Sequence, residues 1–268
     1  LDQTLFTDNS YGITFNCRID GAEGAPWLML SNSLATNLSM WDGQTADFAQ
    51  HYRVLRYDQR GHGASDAPAG DYDFDMLADD AAALMQAHGI EACHFLGLSM
   101  GGMTAMGLGL NHPERVRSLT ICNSRADVTP EFRQIFDARI AIAFDQGMEA
   151  LVETTVERWF TENLRATEPA FLDDVRDMVR TTPPEGYAGC ARAVQSLDYM
   201  ARLKAIDKPV LFIAGAQDIA TPPERMRAMQ AAISGSEYVE LDPASHLSNL
   251  EQPQAFTAAV REFLARRG

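Results

Sequence analysis

An α/β fold, with a mostly parallel central sheet flanked by helices and one inserted all-helical segment, is what this sequence predicts. Three observations lead there. Short apolar runs of strand length alternate with helix-length stretches over residues 12–123, the pattern of strands buried on both faces of a parallel sheet. The alternation then stops, and residues 124–203 are helical in pattern with no convincing strand. It resumes over residues 209–266.

The elements follow in order. Residues 12–19 and 27–32 have the β-rich composition of strands, and 52–57 (Y-R-V-L-R-Y) forms a third that ends at Asp58. Residues 41–50 suit a short helix. Leu77, Ala81, Leu84, Met85 and His88 recur at spacings of three and four, which predicts a helix over 74–88 stopped by Gly89. A strand at 93–98, a helix of small residues at 100–110 and a strand at 116–123 come next. Pro130, Pro169 and the adjacent Pro183 and Pro184 divide 124–203 into about four helices. Beyond lie a strand at 209–214, a helix at 224–233, a strand at 238–241 and a helix at 254–266. The expected organisation is a core made of residues 1–123 and 204–268, with a helical cap insertion at 124–203.

With 268 residues, 46% hydrophobic and 22% charged, the chain has ample material for a buried core, which excludes disordered and fibrous classes. Its apolar runs are of strand length, far short of a membrane span. Acids outnumber Lys plus Arg by 37 to 22, for a net charge of −15. Such a surface repels phosphate backbones and anionic lipid, so a small molecule is the expected partner, not nucleic acid or a membrane. The four cysteines, Cys17, Cys93, Cys122 and Cys190, are scattered and form no C-x-x-C. They are expected to be free thiols in a reducing compartment. Leu1-Asp2-Gln3-Thr4 shows neither a basic nor an apolar leader region, and the cytoplasm is the expected location.

The junction at Gly97-Leu98-Ser99-Met100-Gly101 carries the chemistry. A G-x-S-x-G between a strand and a helix bends sharply enough to expose the serine hydroxyl, and its glycines let strand and helix cross closely. The turn also sets the Met100 N–H at a helix N-terminus, where it can stabilise an oxyanion. A phosphate loop is disfavoured, since no Lys-Ser or Lys-Thr follows Gly102 and the G-x-G-x-x-G spacing is missing. A serine nucleophile needs a base and a group to orient that base. His246 follows the last strand and Asp218 follows the strand at 209–214, so both belong at the sheet edge that holds Ser99. Asp242, four residues before His246, is the rival acid. With no H-E-x-x-H and no clustered His and Cys, no catalytic metal is expected.

At this point the chain resembles the α/β-hydrolases throughout, and most of all the 3-oxoadipate enol-lactonases. The shared strings are Ser31-Asn32-Ser33-Leu34, Arg60-Gly61-His62-Gly63-Ala64-Ser65, the Ser99 turn, Glu157-Arg158-Trp159-Phe160, Thr182-Pro183-Pro184-Glu185-Gly186-Tyr187 and His246-Leu247-Ser248-Asn249-Leu250-Glu251-Gln252-Pro253. The resemblance implies a cofactor-free serine hydrolase that opens 3-oxoadipate enol-lactone to 3-oxoadipate in aromatic catabolism. Ser99, Asp218 and His246 would be its triad, and the Leu34 and Met100 N–H groups its oxyanion hole. A substrate carboxylate needs a local cation against the acidic surface. Arg139 resembles the arginine of the family's cap helix, with Arg133 next in line among Arg125, Arg133, Arg139 and Arg158. Trp159 would line the pocket, and the loop around His62 would brace its neighbours. Ala35 stands where the family pattern has Gly. Open alternatives are a carboxylesterase, a carbon–carbon bond hydrolase or a cofactor-free haloperoxidase on the same triad, or a ligand-binding receptor on this scaffold.

Overall fold

Eight strands, β1 (Asp2–Asp8), β2 (Ile13–Asp20), β3 (Trp27–Ser31), β4 (Arg53–Tyr57), β5 (Cys93–Leu98), β6 (Val116–Cys122), β7 (Val210–Gly215) and β8 (Glu237–Leu241), make one sheet in the computed structural model. The structure describes residues 2–8 and 12–267; Leu1, residues 9–11 and Gly268 of the expected core segments lie outside it. The order is β1-β2-β4-β3-β5-β6-β7-β8. β2 pairs antiparallel with β1 and β4, and every pair from β4 across to β8 is parallel. Every residue of β5 and of β7 is buried, which explains their continuous apolar composition.

Helices α1 (Asp42–Phe48), α2 (Phe74–Ala87) and α3 (Met100–Asn111) fill the first half, and α9 (Pro223–Ala232), α10 (Ser248–Glu251) and α11 (Pro253–Ala265) the last part. Asp73 caps α2 by accepting from the Met76 N–H, and Gly89 beyond its end takes φ +67°, as the stop signal required. Between β6 and β7 stand α4 (Pro130–Gln146), α5 (Val152–Trp159), α6 (Glu162–Ala166), α7 (Phe171–Thr181) and α8 (Pro184–Ser196). That is five helices against the expected four. The extra one, α6, spans only 5 residues and is too short to show a period; Thr161 caps it by accepting from the Leu164 N–H. The segment leaves and rejoins the sheet through one neck, where Asp127 and Asp198 form an antiparallel bridge and the Tyr199 N–H donates to the Ala126 carbonyl at 2.7 Å.

β1 is the other departure from expectation. Asp2 and Asp8 bracket a short run with no clear alternation, so local sequence gives little strand signal. The strand exists through its register with β2, from Asp2 opposite Ile19 to Asp8 opposite Ile13. Helix 41–50 is also shorter than expected, because a 3₁₀ turn at Leu38–Trp41 precedes it.

Backbone crossings at four glycines hold the layers together. A Cβ on Gly97 would sit 2.0 Å from the Gly101 carbonyl oxygen, and one on Gly101 2.1 Å from that of Ser31. Gly61, in the loop after β4, and Gly186, at the start of α8, touch each other: a Cβ on Gly61 would lie 2.4 Å from the Gly186 Cα. Gly97→Ala is therefore expected to cost about 1–3 kcal/mol of stability through backbone displacement. Gly43, in α1 with open space where its Cβ would go, is the counterpart. Gly43→Ala should gain about 0.5–1 kcal/mol. Urea unfolding of the two variants checks both signs.

Candidate active site

Five neighbouring parallel strands deliver the site, one segment from the end of each. Residues 32–35 follow β3, Ser99 follows β5, Asn123 follows β6, Asp218 lies beyond β7 and His246 beyond β8. Ser99 has φ 57° and ψ −113°, a conformation L-residues avoid. Its N–H donates to the Cys122 carbonyl at 2.8 Å, and its own carbonyl accepts from Ser124 Oγ at 2.9 Å, which fixes the turn from both sides.

His246 Nε2 lies 2.9 Å from Ser99 Oγ, and His246 Nδ1 lies 2.8 Å from Asp218 Oδ2. A carboxylate only accepts, so Nδ1 carries the proton and Nε2 is free to accept from the serine hydroxyl. Asp242 is exposed, and the Nδ1 of His246 is taken by Asp218. His246 is also held by the helical segment: the Trp159 carbonyl accepts from the His246 and Leu247 N–H groups at 3.0 and 3.2 Å, and the Trp159 ring stacks on the imidazole. Burial by itself would raise the Asp218 pKa. The His246 charge and hydrogen bonds from His246, Thr221 and Asn123 override it and hold the carboxyl well below its usual range.

Asn123 is a site residue that sequence reasoning missed. Fully buried at φ +43°, it donates from Nδ2 to Asp218 Oδ2 at 2.9 Å and to the Ser245 carbonyl at 3.1 Å, and accepts from Ser248 Oγ at 2.6 Å. It thus ties the acid loop to the base loop. The available signal was an Asn at a strand end, one of the few residues besides Gly that tolerates a left-handed backbone.

Beyond β3 the chain turns tightly. The Ser33 N–H points to Met40 Sδ at 3.4 Å and the Ala35 N–H donates to His62 Nε2 at 2.9 Å. Leu34, between them, lines the pocket with Ser99 and Met100. Ala35 has φ +60°, so the alanine found in place of Gly keeps the glycine conformation. His62 is buried and outside the pocket lining.

The pocket over Ser99 is walled by Phe132, Phe136, Met103 and Trp159, with Arg139 and Arg158 as its cations. Arg133 stands apart: it is exposed, and its Nε donates to the Gln195 carbonyl at 2.8 Å. Helix phase explains the correction, since Phe132, Phe136 and Arg139 share one face of α4 and Arg133 is a third of a turn away. Arg139 donates to Tyr187 Oη at 3.0 Å and to the Thr154 and Thr155 hydroxyls, all neutral. Arg158 makes no hydrogen bond or ion pair among the described residues. Burial first, and then the Arg139 charge, lower its pKa. Arg125 is buried against the Phe132 ring, 3.5 Å from its centroid, behind the wall. Among the described residues no group of three or more His, Cys, Asp or Glu is placed to hold a metal, and no helix is long and apolar enough to cross a membrane.

The depressed Asp218 carboxyl yields a pH prediction. Its stabilisation is complete above the ordinary value of 3.8 and is lost as pH falls through the lower folded value. Asp218→Asn should therefore be less stable than the parent at pH 7, and the gap should narrow once pH drops below about 4. Urea titrations across that range test it; a constant gap contradicts the assignment.

Comparison with known proteins agrees with this architecture. A family model described as the alpha/beta hydrolase fold matches residues 26–253. A 3-oxoadipate enol-lactonase of Acinetobacter baylyi is 38% identical over 254 residues, 95% of this chain and 94% of that protein. The crystal structure of the enol-lactonase from Burkholderia xenovorans LB400 superposes with a TM-score of 0.93 at 41% identity, covering 98% of this chain and all of that one. A putative carbamate hydrolase of Pseudomonas syringae is 29% identical over 90% of this chain and 94% of its own length. With a sheet order, a strained serine turn and a family match all in agreement, the chain belongs to the α/β-hydrolase fold family.

Proposed function

We propose that the protein is a serine hydrolase that opens the enol-lactone ring of 3-oxoadipate enol-lactone to 3-oxoadipate. In this reading residues 124–203 are the cap that closes the pocket over the core of residues 1–123 and 204–268. The observation that carries the proposal is the pair Arg139 and Arg158, facing an apolar pocket beside Ser99 with no carboxylate partner of their own. Two half-buried cations with no counter-ion among the described residues suit an anionic substrate, and the homology to enol-lactonases supports its class.

The geometry supports a two-step acyl transfer. Ser99 Oγ attacks the lactone carbonyl as His246 Nε2 takes its proton. The Leu34 and Met100 N–H groups hold the oxyanion, and Asp218 stabilises the imidazolium and fixes its tautomer. Collapse breaks the ring C–O bond. The enolate so released remains tethered to the acyl group, takes the imidazolium proton of His246 to become the enol and tautomerises to the ketone, which leaves His246 neutral for the second step. Water, deprotonated by His246, then attacks the acyl-enzyme and frees a carboxylate while the proton returns to Ser99. All groups needed for these steps are side chains or backbone of this chain.

Ser99→Ala should abolish turnover and leave the fold intact, because the turn is shaped by its glycines. Asp218→Asn should cost on the order of 10⁴-fold in kcat through the wrong histidine tautomer, and Asp242→Asn far less. Steady-state kinetics that rank the two aspartate variants the other way would transfer the orienting role to Asp242.

The substrate is tested by charge. A five-membered enol lactone bearing a carboxylate should exceed its neutral methyl ester in kcat/KM by about 10- to 150-fold, as for a charged hydrogen bond. That preference should shrink in Arg139→Met and in Arg158→Met and persist in Arg133→Met. Equal rates on acid and ester in the parent would favour a general esterase or carbamate hydrolase.

A further inference from the structure

We propose that His62 is a positioning residue for the oxyanion turn, and that it couples this turn to the seating of α8. His62 touches no part of the pocket, yet its Nε2 accepts the Ala35 N–H at 2.9 Å, one residue from the Leu34 N–H. Its Nδ1 lies 3.1 Å from the Arg60 carbonyl, which only accepts, so the proton sits on Nδ1 and the Nε2 lone pair faces Ala35. Burial pushes the His62 pKa down to about 4, so the ring is neutral and keeps that acceptor at neutral pH. The bond matters because Ala35 holds φ +60°, a conformation that an alanine leaves unless something retains it. A relaxed Ala35 would turn the peptide that joins it to Leu34, and through Leu34 it would displace the N–H one residue back.

His62 is itself placed from two sides. Its neighbour Arg60 forks onto the buried carboxylate of Asp80. Its other neighbour, Gly61, lies backbone to backbone on Gly186 of α8, and Cys190 of the same helix approaches His62 Nδ1 at 3.9 Å. Next to Gly186, Tyr187 Oη accepts from Arg139 Nε. One connected path thus runs from the pocket cation through α8 and His62 to the oxyanion turn. It absorbs two sequence strings, R-G-H-G and T-P-P-E-G-Y, that the chemistry alone leaves without a role.

The inference rests on the oxyanion role given to Leu34, and its test uses p-nitrophenyl acetate so that it stays readable if the lactone assignment fails. His62→Asn keeps an amide N–H near the Arg60 carbonyl and lacks an acceptor that reaches Ala35; His62→Gln reaches it. His62→Asn should lower kcat by about 10- to 100-fold with KM little changed, and His62→Gln should recover most of the loss. Affinity for a trifluoromethyl ketone, which forms an oxyanion on Ser99, should fall in parallel, normalised to folded protein. Gly186→Ala should also lower kcat, with no further fall when combined with His62→Asn. Equal ketone affinity in the parent and His62→Asn, or a glutamine no better than asparagine, overturns the positioning role. Additive losses in the double variant overturn the coupling to α8. A parent that fails to bind the ketone would overturn the serine reading, and this inference with it.

Discussion

The close crossing of α3 over the ends of β3 and β5 is the constraint on which the rest depends. Gly101 passes against the Ser31 carbonyl and Gly97 against that of Gly101, at distances that leave no room for a Cβ. This brings the turn after β3 and the turn after β5 together, so that Leu34 and Met100 meet over Ser99. A methyl group at either glycine would separate Ser99 from the turn after β3 before it altered any side chain. The strain at Ser99 and Ala35 is local, and the surrounding hydrogen bonds to Cys122, Ser124 and His62 are what retain it.

Charge is distributed against the overall sign. The net charge is −15, and two buried arginines of the core have acids beside them: Arg60 has Asp80, and Arg56 has Asp20 and Asp42. The pocket cations differ: Arg139 lies on neutral hydroxyls, and Arg158 makes no hydrogen bond or ion pair among the described residues. An interior cation pair in an acidic protein works over a short range only, where the low dielectric of the apolar walls strengthens it. The approach of an anion is opposed at a distance and favoured at contact, which makes selectivity a property of the bound state.

Much of this was legible in the sequence because it is local. The Ser99 turn is a five-residue string, and Asp218 and His246 each follow a recognisable strand. What was not legible depends on relations across the sheet. β1 has no strong pattern of its own and is defined by β2. Asn123 acts on a loop 95 residues away, and no spacing along the chain announces it. The rank of Arg139 over Arg133 has a physical basis in helix phase, since Phe132, Phe136 and Ile140 mark the inward face of α4. Arg158 shows the same effect on α5, where Thr155, Arg158 and Trp159 form one stripe.

The contact between Gly61 and Gly186 has a consequence for how this protein can diversify. Each glycine is the other's steric boundary, so neither position can drift while its partner stays, and a chimera that imports a different helical segment must supply a glycine at the matching place. The angle at which α8 meets the core is therefore close to invariant under single substitutions. Pocket chemistry is less constrained: Arg158 lines the pocket without a hydrogen bond or ion pair among the described residues. Change in the pocket is open to descendants of this chain through such a side chain, on a helical segment whose seating at Gly186 stays fixed.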